Sequence, residues 1–322
     1  MTKEFGLLSL EQIKNSEIFK KYGVCAEVND YAILLGMPFC SEIELPYSNS
    51  DNLIVGDWLT SSKNSKGNVI CMNYQCNNDF DEKYLYNTEA NFTRCYGIRP
   101  CIPYDEIANE CTGEKTINGV TEVLYGEYVE NAENPYDNEI VSELDKEYEN
   151  GTLLKTGKEY TADSRITFGV RVFSENYKPF KARTFQEYFY KGKKYIHIIC
   201  EKKYTNRNTK LSNGVLCINK SGFWLNVKPV VWLIDKEKNI AVAKNVLLSG
   251  IRFDDKVDYD GDFKETEMYK YLNEIFAKEI VPSEVPQIVI HKDYLRTAKE
   301  ELLEYAEKEN EERNNKRLHI YM

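Results

Sequence analysis

The spacing of apolar and polar positions predicts that the start of the chain mixes short helices with strands. Residues 7–20 (LLSLEQIKNSEIFK) predict a helix, because Ser9 and Gln12 have the spacing of an N-terminal capping box. The apolar run at 31–36 predicts a buried strand or a short apolar segment, and residues 53–60 predict a further strand.

The middle of the chain has a strand-rich pattern. Residues 119–129 (GVTEVLYGEYV) predict a strand, and residues 130–150 predict a short helix. Between 160 and 226 the pattern is mostly that of strands, with hairpin signals at Lys191–Gly192 and Asn213–Gly214. This region is therefore predicted to be mainly β.

The end of the chain is predicted to change from strand to helix. Residues 229–234 and 239–243 predict two strands that are joined by the turn DKEKN. Residues 263–278 predict an amphipathic helix that Asp262 caps. The charged residues 291–317 predict a last helix with Glu–Lys pairs.

The segment TRCYGIRPCIPY, residues 93–104, has the pattern of a closing strand, although more than two thirds of the chain follows it. Other distinctive segments are YGEY with VVWLIDKEKNIAVAKNVLLSGIRF, then DFKETEMYKYLNEIF, and finally GDWLTSS with YGIRPC. Together they resemble a bacterial family, a domain of unknown function related to formylglycine-generating enzymes and the C-type-lectin-like fold. Ser62, Met268 and Tyr269 depart from that family's pattern, and the order of the motifs is rotated.

The rotated order implies a circularly permuted chain with an α+β fold. The resemblance implies a C-type-lectin-like (permuted) mixed sheet with flanking helices, formed by residues 1–129 and 223–290. Residues 130–222 match no part of the pattern and are predicted to be an inserted β-rich subdomain. Residues 291–322 are predicted to form a C-terminal charged helix. Two unrelated small domains are the alternative.

Composition narrows the class of protein. A net charge of −10 and an isoelectric point near 5.1 argue against direct binding of nucleic acid, which requires a basic surface. The chain has no apolar run long enough to span a bilayer, so no membrane partner is expected. The N-terminus lacks a signal-peptide pattern, and nine scattered cysteines suit free thiols in a reducing compartment, so we expect a cytoplasmic protein.

Two cysteines are candidates for chemistry. Cys71 and Cys76 lie five residues apart, and formylglycine-generating enzymes, which the chain resembles, use two cysteines at such a spacing. In a strand this spacing places the two side chains on opposite faces, and no His or acidic group lies nearby to activate a thiol. Buried free thiols are therefore the favoured interpretation, and we predict no catalytic residue and no cofactor.

An aspartate cluster is the candidate for a metal site. Five aspartates between residues 254 and 262 have the density of a calcium-binding loop, but the register is not that of an EF-hand. A solvated loop is the favoured interpretation, and we predict no bound metal.

Four large side chains are predicted to be structural. Arg99 is expected to be buried or half-buried and paired with a carboxylate. Trp58, Trp224 and Trp232 are expected in the core. If the chain is permuted, Trp58 and Trp232 must lie in the same apolar cluster.

The segment 63–92 (KNSKGNVICMNYQCNNDFDEKYLYNTEANF) is the favoured binding site. Tyr supplies a large contact area at low entropic cost, and Asn and Ser supply adaptable hydrogen bonds. An ordinary polar loop is the alternative interpretation. The predicted partner-binding residues are Asn64, Lys66, Asn73, Tyr74, Asn77, Asn78, Tyr84 and Tyr86.

The sequence therefore favours a non-enzymatic binding protein that recognises a protein partner, with a glycan as the alternative partner. The composition and the resemblance suggest a Gram-positive bacterium or its phage as the source, and an inhibitor of a host defence protein is one such function. Two other functions stay open. One is a formylglycine-generating-type oxidase that uses Cys71 and Cys76, and the other is a virion or assembly structural protein. The oligomeric state is left open.

Overall fold

A computed structural model shows a mixed α+β fold built mostly of antiparallel sheets with few helices. The residues that the structure describes are 3–37, 40–43, 53–73, 85–90, 96–136, 139–163, 182–200, 210–217, 221–256 and 258–286. The chain divides into two compact units, Met1–Glu284 and Val285–Met322. The helix predicted at 291–317 lies outside the described residues. Within the described part, no helix is both long and apolar enough to cross a bilayer.

The helices are short and lie near the two ends of the first unit and at its middle. In chain order they are α1 Leu10–Asn15, α2 Glu17–Tyr22, α3 Asp30–Leu35, α4 Glu139–Glu149, α5 Glu267–Tyr271 and α6 Ala277–Glu279, with a π-helical turn at Leu272–Phe276 and 3₁₀ turns at Tyr104–Glu106 and Phe263–Glu265. The predicted capping box of α1 is confirmed, since Ser9 and Gln12 bond to each other's backbone.

The strands form three sheets of two, three and eight strands within the described residues. In chain order they are β1 Cys40–Ile43, β2 Leu53–Gly56, β3 Trp58–Lys63, β4 Val69–Met72, β5 Leu85–Thr88, β6 Cys101–Pro103, β7 Thr112–Ile117, β8 Val120–Ala132, β9 Leu154–Asp163, β10 Ala182–Tyr190, β11 Lys193–Ile199, β12 Gly222–Asp235 and β13 Ile240–Ala243. The hairpin predicted at Lys191–Gly192 joins β10 to β11, and both turn residues have positive φ angles.

The segment 31–36, predicted as a strand or a short apolar segment, belongs to helix α3. All six residues of α3 are buried, so the segment has no amphipathic pattern that separates a helix from a buried strand. The Asp30 carboxylate accepts hydrogen bonds from Ala132 N–H (2.9 Å) and from the N–H and hydroxyl of Ser212 (2.7 Å each). These long-range contacts hold the start of α3, and Gly36, with φ of 132°, ends the helix.

Strand β12 is the centre of the eight-stranded sheet. β8 pairs with β12 along residues 225–234, which cover most of its length. β11 pairs with residues 222–227 and β13 with residues 232–235, so these two strands must share the other edge of β12. The sheet therefore forks at Lys228 and Pro229, both of them exposed, where proline has no N–H to donate.

The YGIRPC segment closes this sheet, as the sequence predicts. β6 pairs antiparallel with β13 through Cys101–Val242 and Pro103–Ile240. Upstream of β6, Ile98 bridges to Leu248. Segments far apart in the sequence thus complete a single sheet.

The positions of Trp58 and Trp232 also show that segments far apart in the sequence pack together. Trp58 (1% exposed) and Trp232 (0% exposed) belong to one hydrophobic cluster, which confirms that the two parts share a core. Their rings contact different partners, because Trp58 stacks on Phe19 (6.2 Å between ring centroids) whereas Trp232 lies against Phe5 (6.2 Å) and Tyr125 (6.2 Å). Trp224 is also buried, as predicted, but it belongs to a smaller second cluster beneath α4.

Within the described residues, the region 130–222, predicted as an inserted subdomain, contributes its strands to the main sheet and forms no separate one. Its strands β9, β10 and β11 extend the main sheet outward from β12. The buried side chains of Tyr160, Phe185 and Ile196 join the same hydrophobic cluster as Trp232. The region is β-rich, as predicted, but its last strand, β11, pairs with β12, which comes later in the chain.

The helix predicted at 263–278 is divided by the π-helical turn at Leu272–Phe276. Asp262 caps the preceding 3₁₀ turn, and Thr266 caps α5. Asn273, within the π-helical turn, accepts from Phe5 N–H (2.9 Å) and donates to Phe5 C=O (2.9 Å). This pair of bonds fixes the N-terminal segment to the helix at its π-helical turn.

A cluster of tyrosines and carboxylates lies inside the core near α6. The Tyr128 hydroxyl donates to Glu279 (3.1 Å), and Thr161 N–H donates to the other oxygen of the same carboxylate. Tyr271 donates to Thr161 C=O (2.7 Å), and Tyr160 lies edge-on to Tyr128 with 5.5 Å between ring centroids. Burial raises the pKa of Glu279 to about 7, although these hydrogen bonds and Lys158 favour the charged form.

We expect Glu279 to make stability depend on pH. The unfolded chain loses this proton near pH 4.5, whereas the folded chain keeps it until about pH 7, so stability falls as the pH rises between those values. Glu279→Gln resembles the protonated acid and should remove roughly 2–3 kcal/mol of that fall. Urea unfolding at pH 5 and pH 8 measures this fall in the free energy of unfolding. The control is Glu265→Gln, a substitution at an exposed position. An unchanged difference between the two pH values would contradict the assignment.

We also expect residues 1–115 alone not to fold. In that fragment β6 loses its pairing with β13, and Trp58 loses the cluster that it shares with Trp232. Circular dichroism during heating should show no cooperative transition in the fragment, whereas the full chain should show one. A fragment that melts cooperatively as a monomer would indicate two independent domains.

Candidate functional site

The turn between β3 and β4, at residues 64–68, is organised by Asn64. The Asn64 side-chain oxygen accepts from Lys66 N–H (2.8 Å) and Asn68 N–H (3.0 Å). The Asn64 backbone N–H donates to Asn68 C=O (2.9 Å), and Gly67 N–H donates to Asn64 C=O (3.1 Å). A side chain that bonds to the backbone two residues later in this way stabilises a turn.

This turn is held against the aspartate-rich loop at 258–262. Tyr259 N–H donates to Gly67 C=O (2.9 Å), and the Tyr259 hydroxyl donates to Ser61 C=O (3.1 Å). The Lys63 ammonium donates to Asp260 C=O. A Cβ at Gly67 would lie 3.3 Å from the Cβ of Asp258, and Gly67 has a φ of +80°, so this close approach favours glycine. We call residues 64–68 and 258–262 the double-loop surface.

The double-loop surface carries fixed charges of both signs. Lys66, Asp258, Asp260 and Asp262 are exposed. The N–H of Asp262 holds the pKa of Asp260 below its usual range, so its carboxylate is charged at neutral pH. The surface therefore offers ammonium and carboxylate groups on a backbone that is already ordered.

The structure separates the eight predicted partner-binding residues. Asn64 and Lys66 lie on the double-loop surface, with Asn64 serving mainly to form the turn. Asn73 is only 2% exposed, and its amide donates to Asp57 (2.8 Å), so this side chain faces the interior rather than a partner. Tyr86 is placed by its backbone in β5, opposite Cys71. Tyr74, Asn77, Asn78 and Tyr84 lie outside the described residues.

Sequence reasoning missed that the aspartate loop and the polar turn form one surface. Their closest contacts join residues about 190 positions apart, such as Tyr259 and Gly67. Gly67 was the available signal, because a glycine within a polar turn marks a position of unusual backbone conformation or close approach. Nothing in the sequence showed which segment approaches it.

The carboxylates of the aspartate cluster are engaged in local bonds. Asp254 is 5% exposed and accepts from Asp255 N–H (2.7 Å), while Asp260 accepts from Asp262 N–H (2.9 Å). Asp262 in turn accepts from Lys264 N–H (3.1 Å). Across the described ranges, no group of three or more His, Cys, Asp or Glu side chains could hold a metal ion.

The described cysteine candidate, Cys71, is buried, and Cys101 and His197 are also packed against other parts of the chain. Cys71 is fully buried in β4, and Cys76 lies outside the described residues. Burial raises the pKa of Cys101 to about 12. His197 stacks on Trp224 (4.6 Å between ring centroids), and burial lowers its pKa.

Arg99 is buried, as predicted, but it is not paired with a carboxylate in the described part of the chain, which corrects the prediction. Its Nε donates to Ala243 C=O (2.7 Å), and its guanidinium lies over the rings of Trp58 (5.2 Å) and Phe19 (5.3 Å). Both terminal nitrogens, Nη1 and Nη2, have no hydrogen-bond partner among the described residues. Burial lowers the pKa of Arg99 to about 10. Aromatic faces replace the expected counter-ion.

We expect the aspartate cluster not to bind calcium tightly. Adding millimolar Ca²⁺ should shift the melting temperature by no more than about 1 °C, because a ligand that binds only the native state must stabilise it. The double variant Asp258→Asn and Asp260→Asn is the control. A shift of several degrees in the natural chain that the variant abolishes would establish a calcium site.

The comparisons with known proteins give no match. No protein family matches the chain, and neither a curated protein nor a solved structure is significantly similar to it.

Proposed function

We propose that this chain is a non-enzymatic binding protein that recognises a protein partner through the double-loop surface. The observation that supports this most is the direct bonding of the two loops, above all Tyr259 N–H to Gly67 C=O (2.9 Å). A surface whose backbone is already ordered loses little conformational entropy when it binds, so more of the contact energy is available as affinity.

The chemistry of the surface suggests the kind of partner. One loop carries the exposed ammonium group of Lys66, and the other carries the exposed carboxylates of Asp258 and Asp260. Such a surface complements the mixed charges of another protein, whereas a polyanion would be repelled by the net charge of −10. A glycan, which bonds to the same carboxylate and amide groups, is the alternative partner.

The proposal also covers the fold of the scaffold, the location of the protein and its source. The scaffold that we propose is a circularly permuted C-type-lectin-like domain, and the pairing of β6 with β13 supports it because it joins the first part of the chain to the second. A cytoplasmic location, suggested by nine scattered cysteines, and a phage or mobile-element source, with a host defence protein as target, belong to the same proposal.

The two other functions have weaker support. An oxidase of the formylglycine-generating type needs an accessible thiol, and Cys71 is fully buried. A virion or assembly protein should form symmetric oligomers, which mass photometry would detect.

We expect the double variant Lys66→Glu with Asp258→Lys to lose the partner. The change inverts one positive and one negative charge of the surface and leaves the net charge unaltered. The full chain, immobilised and incubated with lysate of a Gram-positive host, should retain one or a few proteins that quantitative mass spectrometry finds reduced about ten-fold or more with the variant.

The matched control inverts two exposed residues of the edge strand β9, Lys155→Glu with Glu159→Lys. This control should capture the same proteins as the natural chain. Equal capture by both double variants would contradict the double-loop surface as the binding site. Loss of binding to a glycan array, instead of a protein, would transfer the proposal to the alternative partner.

A further inference from the structure

Side chains of α5 and α6 close part of the free edge of strand β9. Thr161 N–H donates to the carboxyl group of Glu279, and the Tyr271 hydroxyl donates to Thr161 C=O (2.7 Å). In the described part of the chain, β9 pairs with another strand, β10, on one side only. Glu279 and Tyr271 therefore bond to the backbone of Thr161 where a neighbouring strand would do so, and this protects an exposed edge.

The residues that follow, 279–283, lie across the sheet, and we call them the strap. Glu127 N–H of β8 donates to Ile280 C=O (2.8 Å). A Cβ at Gly126 would lie 2.5 Å from Ile280 Cγ1 and 2.7 Å from the Ile280 carbonyl oxygen. The strap is thus in direct contact with the backbone of β8, at a position where glycine allows the close approach.

Two ammonium groups and one carboxylate hold the rest of the strap. Lys158 of β9 donates to Val281 C=O (2.8 Å), and Lys194 of β11 donates to Ser283 C=O (2.8 Å). The Ser283 hydroxyl donates to the carboxylate of Glu187 in β10. The strap is therefore bonded to four strands of the main sheet, β8, β9, β10 and β11.

The charged groups of this contact include one more carboxyl group than ammonium groups. The ammonium groups are those of Lys158 and Lys194, and Lys194 pairs with Glu127 (2.6 Å). The other two carboxyl groups, of Glu187 (0% exposed) and Glu279 (4% exposed), are buried. A buried carboxylate without a counter-ion is strongly unfavourable, so one of these two groups is expected to keep its proton.

The hydrogen bonds indicate that Glu279 is the group that keeps the proton. Glu187 accepts from three hydroxyl groups, those of Thr156 (2.7 Å), Tyr160 (2.7 Å) and Ser283. Glu279 accepts from two donors in the described part of the chain. Hydrogen bonds to the charged form of an acid favour that form, so Glu187 is the better stabilised carboxylate.

The remaining titratable groups that face Glu279 are tyrosines. They are Tyr31 of α3, Tyr128 of β8, Tyr160 of β9 and Tyr271 of α5. Burial raises the pKa of all four well above the usual value of a tyrosine, so they stay neutral. Burial also raises the pKa of Glu279 to about 7, and Lys158 is the cation that opposes this rise.

We propose that the strap is a pH-dependent latch, which covers the edge of β9 while Glu279 is protonated and opens when Glu279 loses its proton. An ionised Glu279 is hydrated in the open form and lacks a counter-ion of its own in the closed form, so ionisation favours opening. Opening frees the N–H and C=O of Thr161 and leaves the rest of the main sheet folded. The latch is independent of the double-loop surface.

The direction of the pH dependence follows from the two forms. The closed form keeps the Glu279 proton until about pH 7, whereas a hydrated glutamate loses it near pH 4.5. Opening therefore becomes about ten-fold more favourable for each pH unit between these values and is constant above them. The whole change in the opening equilibrium is on the order of 100-fold.

The test is hydrogen–deuterium exchange of the full chain at single-residue resolution, at pH 5 and pH 8, corrected for the intrinsic pH dependence of exchange. The amides to follow are those of Thr161 and Glu127, because their acceptors belong to the strap. The protection of both should fall roughly 100-fold from pH 5 to pH 8. At pH 8 both should exchange at least about ten-fold faster than the amides of β12.

Two results would overturn the proposal. One is equal protection of Thr161 and Glu127 at the two pH values. The other is exchange of both amides at the rate of β12, because the strap would then open only when the whole chain unfolds.

Variants test whether Glu279 is the titrating group. Glu279→Gln, which resembles the protonated acid, should give the same protection at pH 8 as at pH 5. The matched control, Glu284→Gln at an exposed position beside the strap, should behave as the natural chain does. A pH dependence that Glu279→Gln retains would contradict the latch.

Lys158→Gln provides a second test if Glu279→Gln does not fold. Lys158 opposes the raised pKa of Glu279, so its removal should raise the pH above which protection stops falling. A profile that stops falling at the same pH as in the natural chain would also overturn the proposal. Neither variant alters the double-loop surface, so partner capture should be unchanged whatever the exchange experiment shows.

Discussion

The antiparallel pairing of β6 with β13 is the contact on which the rest of the architecture depends. It joins Pro103 to Ile240, which are 137 positions apart (240 − 103), so closing this loop carries an entropic penalty. The penalty is offset by the core that the pairing closes, in which Ile98, Trp58 and Trp232 are almost completely buried. A chain with this topology should fold as one cooperative unit, because β6, in the first part of the chain, pairs with β13, in the second part.

Buried polar side chains fix segments that the sheet alone would leave free. Asp235 accepts from the Ser16 hydroxyl (2.7 Å) and Glu17 N–H (3.1 Å), which holds the start of α2 to the end of β12. Asp30 and Asn273 do the same for α3 and for the N-terminal segment. Each such group is compensated by hydrogen bonds, as burial requires. Arg99 differs from these groups, because its Nη1 and Nη2 have no hydrogen-bond partner among the described residues and lie instead in a core of aromatic rings.

The scaffold fixes the shape of the candidate binding site. The double-loop surface is made by backbone hydrogen bonds between two turns, so its shape is fixed while its charged side chains stay accessible to a partner.

Features that depend on neighbouring residues were determined by the sequence itself. The Ser9–Gln12 capping box, the Lys191–Gly192 hairpin and the long strand of GVTEVLYGEYV form as predicted, since their hydrogen bonds join residues close in the chain or follow an alternating pattern. The tertiary structure alone decided that 31–36 is helical, that Asn73 is buried and that Arg99 stacks on rings instead of pairing with a carboxylate. In each of these cases the deciding partner is a distant segment, such as Ser212 for Asp30, and a local pattern contains no information about which distant segment arrives.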